Sequence, residues 1–121
     1  MFKRTVFTFI VAFLAAALAP AAFAHAVLKE ASPTAGAVLD ATPAQIRLQF
    51  NEALEASFSK ITLTDGSGVA LATPAAKVEP GHPESLVLVP PALTPGTWQV
   101  HWSALTLDGH RVKGDYAFRV K

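Results

Sequence analysis

Residues 97–104 read TWQVHWSA, and this stretch decides the predicted fold. Two tryptophans, a valine and an alanine take every second position, and polar residues stand between them. Strict alternation of this kind is typical of a β-strand with one buried face. Working outward, residues 45–50 (QIRLQF) and 115–120 (DYAFRV) alternate in the same way.

The rest of the chain from residue 25 onward continues as strands and turns. No window shows a sustained apolar period of 3.6 residues, and residues 53–58 form at most one helical turn. The apolar run at residues 86–89 predicts a strand covered on both faces. Short strands are therefore predicted near residues 26–30, 45–50, 60–64, 69–78, 86–89, 97–104 and 115–120. About seven short strands separated by Pro, Gly and Asp predict an all-β chain, an antiparallel β-sandwich of immunoglobulin-like size.

The first 24 residues have a different character. Two basic residues precede an uncharged apolar run over residues 5–19, and small residues follow it up to Ala24. This order is typical of a secretory signal peptide, whereas a membrane-spanning helix needs about 20 apolar residues. The sequence predicts cleavage after Ala24, which divides the chain into a signal peptide (1–24) and one exported, soluble domain (25–121) that begins with His25.

Composition excludes several function classes. Export would remove Lys3 and Arg4 from the ten Lys and Arg, leaving eight against nine Asp and Glu, a net charge of −1. A polybasic nucleic-acid binder is therefore not expected. The chain has no Cys and one Met, at position 1, which excludes zinc–cysteine sites, iron–sulfur clusters and soft-sulfur Cu(I) sites. Phosphate-binding glycine loops and serine-nucleophile motifs are also absent from the sequence.

The remaining chemistry lies in four histidines and a few carboxylates. As the first residue of the exported chain, His25 would offer its α-amine and its imidazole Nδ1 to one metal ion. Asp108 and His110 stand two residues apart, so their side chains project to one side if the segment is extended. Three nitrogens and one oxygen suit a tetragonal Cu(II) site. The alternative is that His25 follows the cleavage site by chance and that Asp108-Gly109 only makes a hairpin turn.

Three further residues carry side chains that could bind or orient a metal ion. Glu52 continues the parity of the apolar residues in 46–50, which puts a carboxylate on the core side just past the end of the strand. There it could be an axial metal ligand or a group that orients a ligand, unless the chain turns at Asn51 and exposes it. His82 and His101 are interpreted as surface residues.

These motifs resemble those of the CopC family of periplasmic copper-binding proteins, also described as YobA-like. The resemblance spans residues 25–121 and rests on two groups of motifs. They are His25-Ala26, Ser32-Pro33-x-x-Gly36, Pro43 and Leu48-x-Phe50-x-Glu52, and then Trp98-x-Val100-x-Trp102, Asp108-Gly109-His110-x-x-x-Gly114 and Phe118-x-Val120.

The resemblance implies a seven-stranded Greek-key β-barrel or sandwich with one Cu(II) site made by His25, Asp108 and His110, with Glu52 beside it. It implies a non-enzymatic role in copper homeostasis or resistance, with delivery to an inner-membrane CopD-type protein. The central stretch, residues 66–84, lacks the methionines of a second, Cu(I) site, which indicates the Cu(II)-only type.

Two alternatives from other classes stay open on the sequence alone. An N-terminal His with a second His is also the histidine brace of copper monooxygenases, although Asp108 would fill the position that oxygen needs. The third reading is a metal-free periplasmic interaction module in which the His and Asp positions are incidental.

Overall fold

The computed structural model describes residues 26–121, and nine β-strands form within this range. The strands are β1 (Leu28–Ser32), β2 (Val38–Leu39), β3 (Ile46–Phe50), β4 (Lys60–Thr64), β5 (Ala70–Leu71), β6 (Lys77–Glu79), β7 (His82–Leu88), β8 (Gly96–Leu105) and β9 (Arg111–Val120). One 3-10 turn, Ala56–Phe58, lies in the segment where a single helical turn was predicted. The all-β prediction is confirmed.

The strands form two sheets. One has four strands in the order β1-β3-β7-β6, and the other has five in the order β2-β9-β8-β4-β5. All pairings are antiparallel except β2 with β9. The longest ladder joins β8 to β9, from Gly96 opposite Val120 to Leu105 opposite Arg111. This ladder presents the β8–β9 connection, residues 106–110, at one end of the molecule.

The core between the sheets comes from the alternating positions that the sequence predicted. Alternate side chains of β3 (Ile46, Leu48 and Phe50) have no exposed surface. On the opposing sheet, β8 contributes Trp98, Val100 and Ala104, the half-buried Trp102 packs against this core, and β9 contributes Phe118. Burial of these apolar faces is the main favourable term in folding, at about 25 cal/mol per Å² of apolar surface.

Several predicted strand limits are wrong, and pairing explains why. The single strand predicted at residues 69–78 is two strands: β5 pairs with β4 in one sheet and β6 pairs with β7 in the other. β2 was not predicted, because two residues are too short for a periodic signal. β9 begins at Arg111 instead of residue 115, because its pairing with β8 continues through positions that have little apolar pattern.

The run at residues 86–89 is also not covered on both faces. Leu86 and Leu88 are buried in the core, Val87 is only half-buried, and Val89 lies beyond the end of β7 with 62% of its surface exposed.

The predicted signal peptide (1–24) and His25 lie outside the described residues. From Ala26 to Lys121, the structure has no helix that is both long enough and apolar enough to span a lipid bilayer.

Candidate metal centre

Two distant segments meet at the end of the sandwich where β8 turns into β9. Leu54, four residues after β3, forms an isolated antiparallel bridge with Thr106. Next to it, the amide of Leu107 donates to the carbonyl of Ala53 at 3.0 Å. These bonds hold the segment after β3 against the β8–β9 connection, so that Glu52 faces the loop that carries Asp108.

Glu52, Asp108 and His110 form the cluster that results. Each offers one ligand atom, and these atoms all lie within 4.8 Å of one another. His110 Nδ1 is 3.4 Å from Asp108 Oδ1. The side chains of Asp108 and His110 are 58% and 53% exposed, whereas Glu52 is half-buried. The cluster therefore has an open side, toward solvent, and a closed side, toward Glu52.

Glu52 has an enclosed oxygen that residues 26–121 leave unsatisfied. Its Oε2 atom is buried and has no hydrogen-bond partner within residues 26–121. An unpaired buried carboxylate oxygen is costly unless a cation or a proton compensates it. The oxygen therefore fits a site whose ligand set is completed by a positive ion. Two carboxylates and an imidazole are a donor set that suits divalent transition metals.

The backbone conformation between Asp108 and His110 differs from the one predicted from the sequence. The two residues were expected to project from an extended segment, but residues 106–109 form a turn. The Gly109 amide donates to the Thr106 carbonyl at 3.0 Å, and Gly109 has φ 90°, a conformation that favours glycine. The turn is therefore present, and it still leaves His110 Nδ1 3.4 Å from Asp108 Oδ1.

The buried side chain of Thr106 stabilises this turn through two hydrogen bonds. Only 1% of its surface is exposed. Its hydroxyl donates to Asp108 Oδ1 and accepts from the His110 amide at 3.0 Å. The bond from Thr106 lowers the pKa of the Asp108 carboxyl, partial desolvation opposes this effect, and the nearby His110 adds to it. Asp108 is therefore held in the ionised form that binds cations.

The amino end of the described chain lies next to Asn51, the residue before Glu52. The Val27 amide donates to Asn51 Oδ1 at 2.7 Å, and the Asn51 amide donates to the Val27 carbonyl at 3.1 Å. Ala26, the first described residue, is 4% exposed. The pairing of β1 with β3 is thus extended to the edge of the cluster.

The other two described histidines are not in the cluster. His101 lies on the outer face of β8, where its Nε2 is 3.1 Å from Thr64 Oγ1 and its Nδ1 is 3.8 Å from Asp115. His82 is exposed at the start of β7. Both positions agree with their interpretation as surface residues.

Sequence reasoning missed Thr106 and Asn51. Thr hydroxyls in turns commonly bond to nearby backbone groups, and this tendency could have drawn attention to Thr106. Asn51 had no comparable signal, because its partner, Val27, is 24 residues away in the chain.

Comparison with known proteins agrees with this fold. The CopC domain model matches residues 28–121. Protein YobA of Escherichia coli K12 is 37% identical over 103 residues, which cover 84% of this chain and 83% of YobA. The crystal structure of CopC from Methylosinus trichosporium OB3b matches with a TM-score of 0.76 and 34% identity, over 80% of this chain and 94% of that one.

PcoC, described as a methionine-rich copper resistance protein from Escherichia coli, matches with a TM-score of 0.66 and 39% identity. The match covers 81% of this chain and 100% of PcoC. By its domain match and its relatives, the chain belongs to the CopC domain family.

Proposed function

We propose that residues 25–121, released by cleavage after Ala24, form a periplasmic Cu(II)-binding protein of copper homeostasis or resistance. His25 would supply its α-amine and imidazole, Asp108 and His110 would complete the plane, and Glu52 would lie beside the metal. The observation that carries the proposal is the convergence of Glu52, Asp108 and His110 within 4.8 Å. The protein would hold or hand over the ion without catalysing a reaction.

Copper is favoured over other cations by two independent arguments. Affinities of nitrogen and oxygen donor sets for divalent ions peak at Cu²⁺. In addition, PcoC is described as a copper resistance protein. Unlike PcoC, which is described as methionine-rich, this chain has one Met, at position 1. Without thioether ligands, the site is suited to Cu(II) and not to Cu(I).

The place of His25 in the proposal is supported by the position of Val27. Consecutive Cα atoms are about 3.8 Å apart, so residue 25 lies within about 7 Å of Val27 along the chain. Val27 is hydrogen-bonded to Asn51, the neighbour of Glu52. This short connection supports a chelate at the amino end as part of the proposed ligand set. The delivery partner we propose is an inner-membrane CopD-type protein.

Titration of Cu(II) into protein that begins at His25 tests the proposal. Calorimetry should give one tight site per chain, and electron paramagnetic resonance should show nitrogen coupling. We expect His25→Ala to lose most of the affinity, and Asp108→Ala with His110→Ala to abolish tight binding. His101→Ala is the matched control, because it removes an imidazole outside the cluster, and it should bind as the native protein does.

The pH dependence of Cu(II) affinity is a second test of the proposed ligand set. Amine and imidazole ligands must lose their protons to bind, so affinity should fall steadily below about pH 6. Tight binding by the Asp108→Ala, His110→Ala protein, or an affinity that does not change with pH, would refute this ligand set.

A further inference from the structure

Thr106 occupies a fixed position beneath the exposed half of the cluster. Its backbone is held by the bridge to Leu54 and by the bond from its amide to the His110 carbonyl at 2.9 Å. Its side chain is enclosed, with 1% of the residue exposed. The position of the hydroxyl is therefore fixed by the two backbone contacts of Thr106 and by its burial.

The Thr106 hydroxyl links the His110 backbone amide to the Asp108 carboxylate, as acceptor from the first and donor to the second. It accepts a hydrogen bond from the His110 amide and donates its single proton to Asp108 Oδ1. Because the amide occupies an acceptor position, the hydroxyl proton is directed at the carboxylate, and the two bonds strengthen each other. A carboxylate accepts several bonds, so the contact with Thr106 leaves capacity for a metal ion.

Asp108 and His110 need such support, because more than half of each side chain is exposed. Exposed side chains that become ordered when a ligand binds reduce affinity by the entropy that they lose. A bond to Asp108 and a bond to the backbone of His110 restrict both residues before the ion arrives. Thr also has a β-branched side chain, which limits its own rotamers.

We propose that Thr106 is the positioning residue of this site, holding the Asp108 carboxylate and the His110 backbone in the metal-binding arrangement through one hydroxyl. The identity of the metal rests on the proposed function. The role of Thr106 is to orient ligands, and it does not require that Thr106 contact the ion.

The test compares Thr106→Val with Thr106→Ser in protein that begins at His25. Val removes the hydroxyl at nearly the same volume, whereas Ser keeps it. We expect Val to weaken Cu(II) binding about 10- to 100-fold, as is usual when a group that orients a metal ligand is removed, and to shift the visible and paramagnetic resonance spectra. Ser should stay within a few-fold of the native affinity and keep the native spectra. Thr64→Val is the matched control, because Thr64 contacts His101 outside the site.

Hydrogen exchange of the His110 amide in the metal-free protein is the second readout. The amide should exchange faster in the Val variant, which lacks its acceptor, and remain protected in the Ser variant. Native affinity and spectra in the Val variant, or unchanged exchange of this amide, would overturn the positioning role while the proposed function stands. A native protein that takes up no Cu(II) would refute the proposed function and, with it, the positioning of copper ligands.

Discussion

At the scale of single residues, Gly114 belongs to a sequence motif shared with the CopC family, and side-chain packing alone explains why a glycine is needed there. It closes the pattern Asp108-Gly109-His110-x-x-x-Gly114, yet it lies opposite Trp102 in the β8–β9 ladder and outside the metal cluster. A Cβ atom at position 114 would lie 2.3 and 2.6 Å from Trp102 ring atoms. The Trp102 ring therefore occupies the space that a side chain at position 114 would need, so that only glycine fits there.

Gly114→Ala should consequently reduce the free energy of unfolding by about 1–3 kcal/mol, the usual range for overpacking. Urea denaturation followed by tryptophan fluorescence measures this change. Gly66→Ala is the control, since the nearest atom to its added Cβ would be 3.9 Å away, and the change should stay within about 0.5 kcal/mol. Equal denaturation midpoints for the two variants would contradict the explanation.

At the scale of elements, the β4–β5 hairpin is organised by one carboxylate in its turn. Asp65 Oδ1 accepts from the Ser67 hydroxyl at 2.7 Å and from the amides of Ser67 and Val69 at 2.9 and 3.0 Å. The Ser67 hydroxyl is the largest cause of a pKa for Asp65 below its ordinary value of 3.8, followed by the Val69 amide. The ionised carboxylate therefore stabilises the folded turn.

The sign of the pH effect follows from that depressed pKa. Stability from Asp65 is fully present above its ordinary value of 3.8 and is lost as the pH falls through the lower value in the folded protein. Asp65→Asn should make the free energy of unfolding fall less steeply with acid below about pH 4. Asp40→Asn, which removes an exposed carboxylate paired with Lys121, is the control for charge alone. Unchanged steepness in the Asp65 variant would contradict this account.

At the scale of the whole molecule, the proposed site would draw on three segments that are far apart in sequence. Asn51 links two of them, because its side chain binds the Val27 amide while its neighbour Glu52 lies in the cluster. Asn51→Ala should weaken Cu(II) binding about tenfold by releasing the amino end. The fold should persist, because the bond from the Asn51 amide to the Val27 carbonyl does not need the side chain.

Asn51→Asp is the matched variant, because it keeps an oxygen that accepts from Val27, and it should bind close to the native level. Calorimetric titration measures the affinity, and circular dichroism checks the fold. If Asn51→Ala and the native protein bind Cu(II) equally, the amino end is not held through this side chain.

Much of the fold could be predicted because strand faces follow a local rule. Alternation along residues 46–50 and 97–104 identified side chains that are buried, since a strand turns successive residues to opposite faces. The division of residues 69–78 between two sheets could not be predicted, because nothing within that window indicates which strand each half pairs with.

The candidate site divides in the same way. Ligand chemistry belongs to individual side chains, so the donor groups can be identified from the sequence. They are a carboxylate and an imidazole on either side of Gly109 and an acidic residue after β3. The approach of Glu52 to Asp108 and His110, and the bonds from the Thr106 hydroxyl, become apparent only in the folded chain. Contacts between segments more than 50 residues apart arise from how the two sheets pack, and no local pattern encodes that packing.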